Sequence, residues 1–149
     1  MKHLIAPSLL SANFLEFAEG GGMINKSDAD WLHLDIMDGV FVPNISFGFP
    51  VLNALKSICQ KPMDVHLMIV EPQKFIPEVA ATGAYMMNVH YEACTHLHRT
   101  VAAIKGNGHE SGCHLESAYA HLLIRRYYPR CGHGFIDVRE SGIWWSTFH

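Results

Sequence analysis

The strongest constraint on this chain is an alternation. Up to Gly108, apolar runs of strand length take turns with segments whose apolar residues recur at helical spacing. The first run is HLIAPSLL, residues 3–10. Asn13 can cap the helix expected next, FLEFAEGGGMINKS, which Gly20, Gly21 and Gly22 weaken by about 1 kcal/mol each. DWLHLDIM (30–37) is strand-length, and GFPVLNALKSICQ (48–60) has helical spacing at Val51, Leu52, Leu55 and Ile58. PMDVHLMIV (62–70) is again a strand. EPQKFIPEVAATG (71–83) begins a helix at Pro72 and ends it at Gly83. AYMMNVHYEA (84–93) and THLHRTVAAIKGNG (95–108) complete a fourth β-then-α unit.

Such an alternation implies parallel strands joined by right-handed crossovers. The strands are almost continuously apolar, as expected when both faces are covered. Two α/β architectures fit: an open doubly wound sheet, or a partial (β/α)8 TIM barrel with about its first four units. Neither G-x-G-x-x-G nor G-x-x-x-x-G-K-S/T occurs, so no nucleotide-binding fingerprint favours the open sheet.

The exceptions to apolarity point to chemistry. Strand side chains alternate, so His33 and Asp35 share a face. His66, toward the C-terminal end of the next strand, can face the same space. Two imidazoles and a carboxylate on neighbouring strand ends suit a divalent metal, and parallel α/β folds place their sites at that edge. Asp38-Gly39 reads as a tight turn. Asp64 shares the face of His66 but lies deeper, in a structural hydrogen bond. His90 and Glu92 repeat the H-x-acid spacing and are assigned to structure.

The net charge of −3 provides no field for nucleic acid or an anionic membrane. No apolar run has the length of a signal peptide core or a membrane span. Cys59, Cys94, Cys113 and Cys131 form no C-x-x-C pair, which points to a reducing, cytoplasmic setting.

APSLLSANF, HLDIMDGVFVPNISFG, DVHLMIVEPQKFI and MNVHYEA together resemble the ribulose-phosphate 3-epimerase family of the pentose phosphate pathway, over residues 5–108. The resemblance implies a TIM barrel that interconverts D-ribulose 5-phosphate and D-xylulose 5-phosphate. One aspartate takes the C3 proton, a second returns a proton on the opposite face, and a divalent metal (Zn, Fe, Mn or Co) stabilises the enediolate. It implies that His33, Asp35 and His66 are three of four metal ligands and that Asp35 is also one acid/base group. Ser8 matches a substrate-contacting serine, His66 borders the substrate as well, and Met37 and Met68 line the reaction centre. The implied partner is a small sugar phosphate, with a homo-oligomer possible. A related epimerase acting on allulose 6-phosphate shares these motifs. A non-catalytic half-barrel that self-associates is the reading outside enzymes.

Residues 1–108 are thus expected to be the N-terminal half of an epimerase barrel. Residues 109–149 differ in character: their basic residues are Arg125, Arg126, Arg130 and Arg139, whereas residues 1–108 hold six lysines and one arginine. The family's Asn-Pro strand and Gly-Phe-Gly-Gly phosphate loop are not spelled there. The segment does permit them one nucleotide later. Trp144-Trp145-Ser146, encoded TGG TGG TCN, then yields GGT GGT, or Gly-Gly. The same shift across residues 136–148 permits Ser-Val-Asn-Pro-Gly-Phe-Gly-Gly, and across residues 114–120 it permits Leu-Asn-Pro. The expectation is an out-of-frame tail, with the slip near Gly108–His109. A chain of this kind lacks the second aspartate and the phosphate loop, and is expected to be truncated and inactive as written. A zinc knuckle from Cys113, His114, Cys131 and His133 is disfavoured, because the spacing fits no usual ligand pattern.

Overall fold

A computed structural model describes residues 4–114, together with the backbone of 136–138 and 143–145. Four strands form one sheet in the sequential order β1 (Leu32–Met37), β2 (Met63–Met68), β3 (Met86–His90) and β4 (Glu110–His114). All three pairings are parallel. Helices α1 (Phe17–Lys26), α2 (Phe49–Lys56), α3 (Ile76–Ala81) and α4 (Leu97–Gly106) alternate with them. A sequential order without reversal is that of a barrel wall, and the chain is an α/β fold consistent with a partial TIM barrel.

The two faces of the sheet differ sharply. Leu32, Leu34, Ile36, Val65, Leu67, Met87 and Val89 point to one side and pack with Leu52, Leu55, Ile76, Val79, Val101 and Ile104 of the helices. The other side is layered by register. His33 pairs with Asp64, which pairs with Met86; above them Asp35, His66, Asn88 and Gly112 form one row; Met37 and Met68 form the next. Helices on one side and polar layers on the other distinguish a barrel wall from a doubly wound sheet.

The first apolar run forms no full strand. It follows β1 in parallel, with His33 N donating to the Pro7 carbonyl (2.9 Å) and a single bridge between Ser8 and His33. Pro7 has no N–H for a ladder, and the chain turns at once into a 3-10 helix over Leu9–Ser11. Asn13 caps a 3-10 turn, Phe14–Glu16, that leads into α1. That helix persists through its glycines because Gly20 and Gly21 are buried. A Cβ on either would lie 3.3 Å from Ala12 or Ile58, so the glycines allow close packing.

Gly83 (φ 79°) and Gly108 (φ 84°) take left-handed conformations just beyond α3 and α4. Gly108 does not interrupt the sheet, since β4 follows it and pairs with β3. Ile136–Val138 and Ile143–Trp145 form a separate antiparallel pair. Residues 115–135, with Cys131 and His133 of the disfavoured zinc knuckle, lie outside the described residues. Among the described residues no helix is long and apolar enough to cross a membrane.

Candidate active site

Asp35 is the hub of the polar face. Its Oδ1 lies 3.0 Å from His33 Nε2 and 3.0 Å from His66 Nδ1. Its Oδ2 accepts the Ser8 hydroxyl at 2.7 Å. Ser8 Oγ in turn accepts from Leu10 N–H (3.3 Å), so the cap of the first 3-10 helix also aims the serine. Ser46 clamps the backbone here: its hydroxyl donates to the Asp35 carbonyl (2.6 Å) and accepts from Met37 N–H (3.0 Å).

The second nitrogens of both rings are also engaged. His33 Nδ1 lies 2.8 Å from Asp64 Oδ2. His66 Nε2 lies 2.7 Å from His90 Nε2, and the two rings stack with centroids 4.9 Å apart. Phe41 packs on the His90 ring, 4.9 Å between centroids.

Charge follows from this geometry. Burial opposes a proton on His33, but the hydrogen bonds and charges of Asp35 and Asp64 outweigh it and push its pKa up to about 10. Burial likewise opposes ionisation of Asp35. Hydrogen bonds from His33 and His66, the charge of His33 and the Ser8 hydroxyl together hold its carboxyl well below the usual carboxylate range.

Can these residues take a metal? One carboxylate oxygen faces two ring nitrogens, so either both rings donate protons to it or a cation takes their place. Ligands about 2.1 Å from a shared ion are separated by roughly 3.0–3.4 Å. The ligand atoms of His33, Asp35 and His66 all lie within 4.8 Å of one another. The group could therefore hold a divalent cation, through His33 Nε2, an Asp35 oxygen and His66 Nδ1.

The structure brings together Ser8, His33, Asp35 and His66. The three candidate donors lie within the strands, His33 being the second residue of β1, and not at their C-terminal ends. Met37 and Met68, the last residues of β1 and β2, form that rim on the same face. Asp64 does make a structural hydrogen bond, and its partner is a candidate ligand. His90, assigned to structure from sequence, touches His66, while Glu92 lies exposed beyond the end of β3. Asn88, not singled out at all, donates to Asp64 Oδ1. Alternation along β3 puts Asn88 and His90 on one face, but the register that sets them beside His66 is not local sequence information. A cavity of about 510 Å³ near the end of β1, bordered by Met37, Phe47, Phe49, Val70 and Phe75, includes none of the three donors.

The chain matches the model of the ribulose-phosphate 3 epimerase family over residues 4–132. It is 46% identical over 108 residues to the ribulose-phosphate 3-epimerase of Bacillus subtilis, covering 72% of this chain and 50% of that protein. The Synechocystis ribulose-phosphate 3-epimerase is 40% identical over 130 residues, covering 86% of this chain and 56% of the relative. The Treponema pallidum ribulose-phosphate 3-epimerase is 44% identical over 134 residues, covering 90% of this chain and 59% of the relative. The chain spans about half the length of the curated relatives it matches. The family match takes in most of the chain, including the segments that carry Ser8, His33, Asp35 and His66, and the chain belongs to the ribulose-phosphate 3-epimerase family.

Proposed function

We propose that the chain carries the first half of the active site of a metal-assisted sugar-phosphate epimerase acting on D-ribulose 5-phosphate and D-xylulose 5-phosphate. The observation that carries this reading is the Asp35 carboxylate, held between His33 and His66 on one oxygen and Ser8 on the other. Asp35 takes the proton from C3. Ser8, its hydroxyl oriented by Leu10 N–H, fixes the Asp35 oxygen that faces away from the imidazoles and borders the substrate. Met37 and Met68 wall the reacting carbon, and His66 borders the substrate as well as the ion. His33, Asp35 and His66 would hold a divalent cation, which would supply positive charge for the developing enediolate oxygens. Two imidazoles and one carboxylate suit Zn, Fe, Mn or Co better than Mg or Ca.

Inversion at C3 needs a proton returned on the other face. By the family resemblance, a second aspartate and a glycine-rich phosphate loop supply that face and the phosphate grip. Residues 109–149 spell neither motif as written, and we read them as an out-of-frame tail. The substrate is a small sugar phosphate, in keeping with a net charge of −3 that attracts neither nucleic acid nor an anionic membrane. The free thiols Cys59 and Cys94 are in keeping with a cytoplasmic setting.

The test is turnover with added divalent metal, comparing the 149-residue chain with a chain whose frame is restored after codon 108. The restored chain should epimerise D-ribulose 5-phosphate faster than D-allulose 6-phosphate. A preference for the hexulose would move the assignment to the related epimerase. The 149-residue chain should show little turnover, and a kcat of order 1–10³ s⁻¹ from it would overturn the truncated-site reading.

A further inference from the structure

We infer that Asp64 and Asn88 are positioning residues for His33, and that Gly112 makes the room they need. This inference rests on the metal reading of the His33–Asp35–His66 group and extends it one layer outward.

The geometry fixes the direction of each bond. A carboxylate only accepts, so His33 Nδ1, 2.8 Å from Asp64 Oδ2, must carry the proton. His33 Nε2, 3.0 Å from Asp35 Oδ1, likewise faces an acceptor and carries a proton until a cation takes that proton's place. Asp64 Oδ1 accepts from Asn88 Nδ2, which fixes the Asn88 amide in one orientation. Its Oδ1 therefore points the other way, toward β4, where it has no hydrogen-bond partner among the described residues. Asp64 and Asn88 are both buried.

Gly112 lies opposite Asn88 in the parallel register of β3 and β4. A Cβ at residue 112 would lie 1.5 Å from Asn88 Oδ1 and 2.7 Å from its Cγ. No side chain fits there while Asn88 keeps its bond to Asp64. Glycine is thus required at residue 112 for space, in a strand drawn from beyond Gly108. The chain of contacts runs from Gly112 through Asn88 and Asp64 to His33 and Asp35. Ligating histidines commonly donate their other N–H to a carboxylate, and removing such a partner typically lowers metal affinity about 10–100-fold.

The experiment uses the 149-residue chain and Zn²⁺, titrated in competition with a chromophoric chelator. Long-range ¹H–¹⁵N spectra of the metal-free chain report the Nδ1 and Nε2 protons of His33, and far-UV circular dichroism reports folding. Three variants are compared: Asp64→Asn, the swap Asp64→Asn with Asn88→Asp, and Gly112→Ala. Asp64→Asn takes the carboxylate away from His33, and the new amide keeps an oxygen on His33 only if the Asn88 amide turns over. Zinc affinity should fall about 10–100-fold, and in the metal-free chain the His33 Nδ1–H resonance should move upfield as its carboxylate acceptor is lost. The swap reverses the amide–carboxylate bond, holds an oxygen on His33 and restores the negative charge of the layer, so it should recover part of the affinity. Gly112→Ala displaces Asn88 and should lower affinity without touching Asp64.

A folded Asp64→Asn chain with parental zinc affinity and an unchanged His33 Nδ1–H resonance overturns the inference. So does a swap that folds no better than an unfolded Asp64→Asn chain, because Asp64 is then structural. A parental chain that binds no zinc removes the metal reading instead. In that case the metal-free spectrum alone decides, by showing whether the Nδ1 proton of His33 sits on Asp64.

Discussion

The proposed function asks two tasks of the Asp35 carboxylate, and its surroundings set the balance between them. Hydrogen bonds from His33, His66 and Ser8 keep it ionised, which suits a ligand and weakens it as a base. Asp35→Asn removes the base and one ligand charge while changing little volume. In the frame-restored chain it should lower kcat by about 10²–10⁴-fold and leave the far-UV circular dichroism unchanged. A variant that retains activity within a few-fold would remove Asp35 from proton transfer.

The same residues predict a pH dependence for the metal-free chain. The pKa of His33 is raised to about 10 in the folded state, from the ordinary histidine value of 6.5. The stability from its proton is fully present below about pH 6.5 and is lost as pH rises through about 10. The Asp35 carboxyl is depressed, so its contribution is present above about pH 3.9 and lost as pH falls below. The melting temperature should therefore decline on the alkaline side between about pH 6.5 and 10, and His33→Gln should flatten that decline. An equal slope in parent and variant would contradict it.

At the scale of elements, the β1–α2 connection shows how a turn supports the site. Asp38 Oδ1 accepts from Val40 and Phe41 N–H, both at 2.9 Å, and Oδ2 accepts from Val70 N–H at 2.8 Å. One carboxylate thereby joins the loops that follow β1 and β2, and Phe41 is brought onto His90. Gly39 has φ 74°, and a Cβ there would lie 2.9 Å from Ile45 Cγ1. Gly39→Ala should cost about 1–2 kcal/mol in urea unfolding from the left-handed backbone alone. Asp38→Ala should cost about 1 kcal/mol or somewhat more, because three N–H donors lose their acceptor. No change in either variant would show that the turn is not strained and not needed.

The sequence made the Asp38-Gly39 turn legible because turn chemistry is local. It also made β1, β2, β3 and the helices after them legible, because periodicity is local. The first run was not, since Pro7 removes a ladder donor and the chain turns away after one bridge. Asn88 and His90 were legible only as residues sharing a face. Their partners Asp64 and His66 depend on the pairing of β2 with β3, which no spacing within a strand encodes.

For the whole molecule, the parallel order β1-β2-β3-β4 puts every polar layer on one face and every helix contact on the other. Alternation put His33 and Asp35 on one face, with His66 able to face the same space, and the resemblance added their roles and that of Ser8. What it did not supply was the outer layer, because Gly112 lies beyond the stretch where the motifs are legible and acts through empty space. In the proposed site, the wall of four strands brings one carboxylate to the reacting carbon. By the resemblance, the opposite face comes from the other half. On that division, little turnover is expected of the 149-residue chain.

The central claim is that Asp35 exchanges the C3 proton of a ribulose phosphate beside a metal held by His33 and His66. The most direct test follows deuterium incorporation at C3 of D-ribulose 5-phosphate in D₂O by NMR. The frame-restored chain with a divalent metal should incorporate deuterium at C3, and Asp35→Asn should not. A folded, metal-loaded restored chain that leaves C3 unlabelled, or an Asp35→Asn variant that labels it as fast as the parent, would contradict the account.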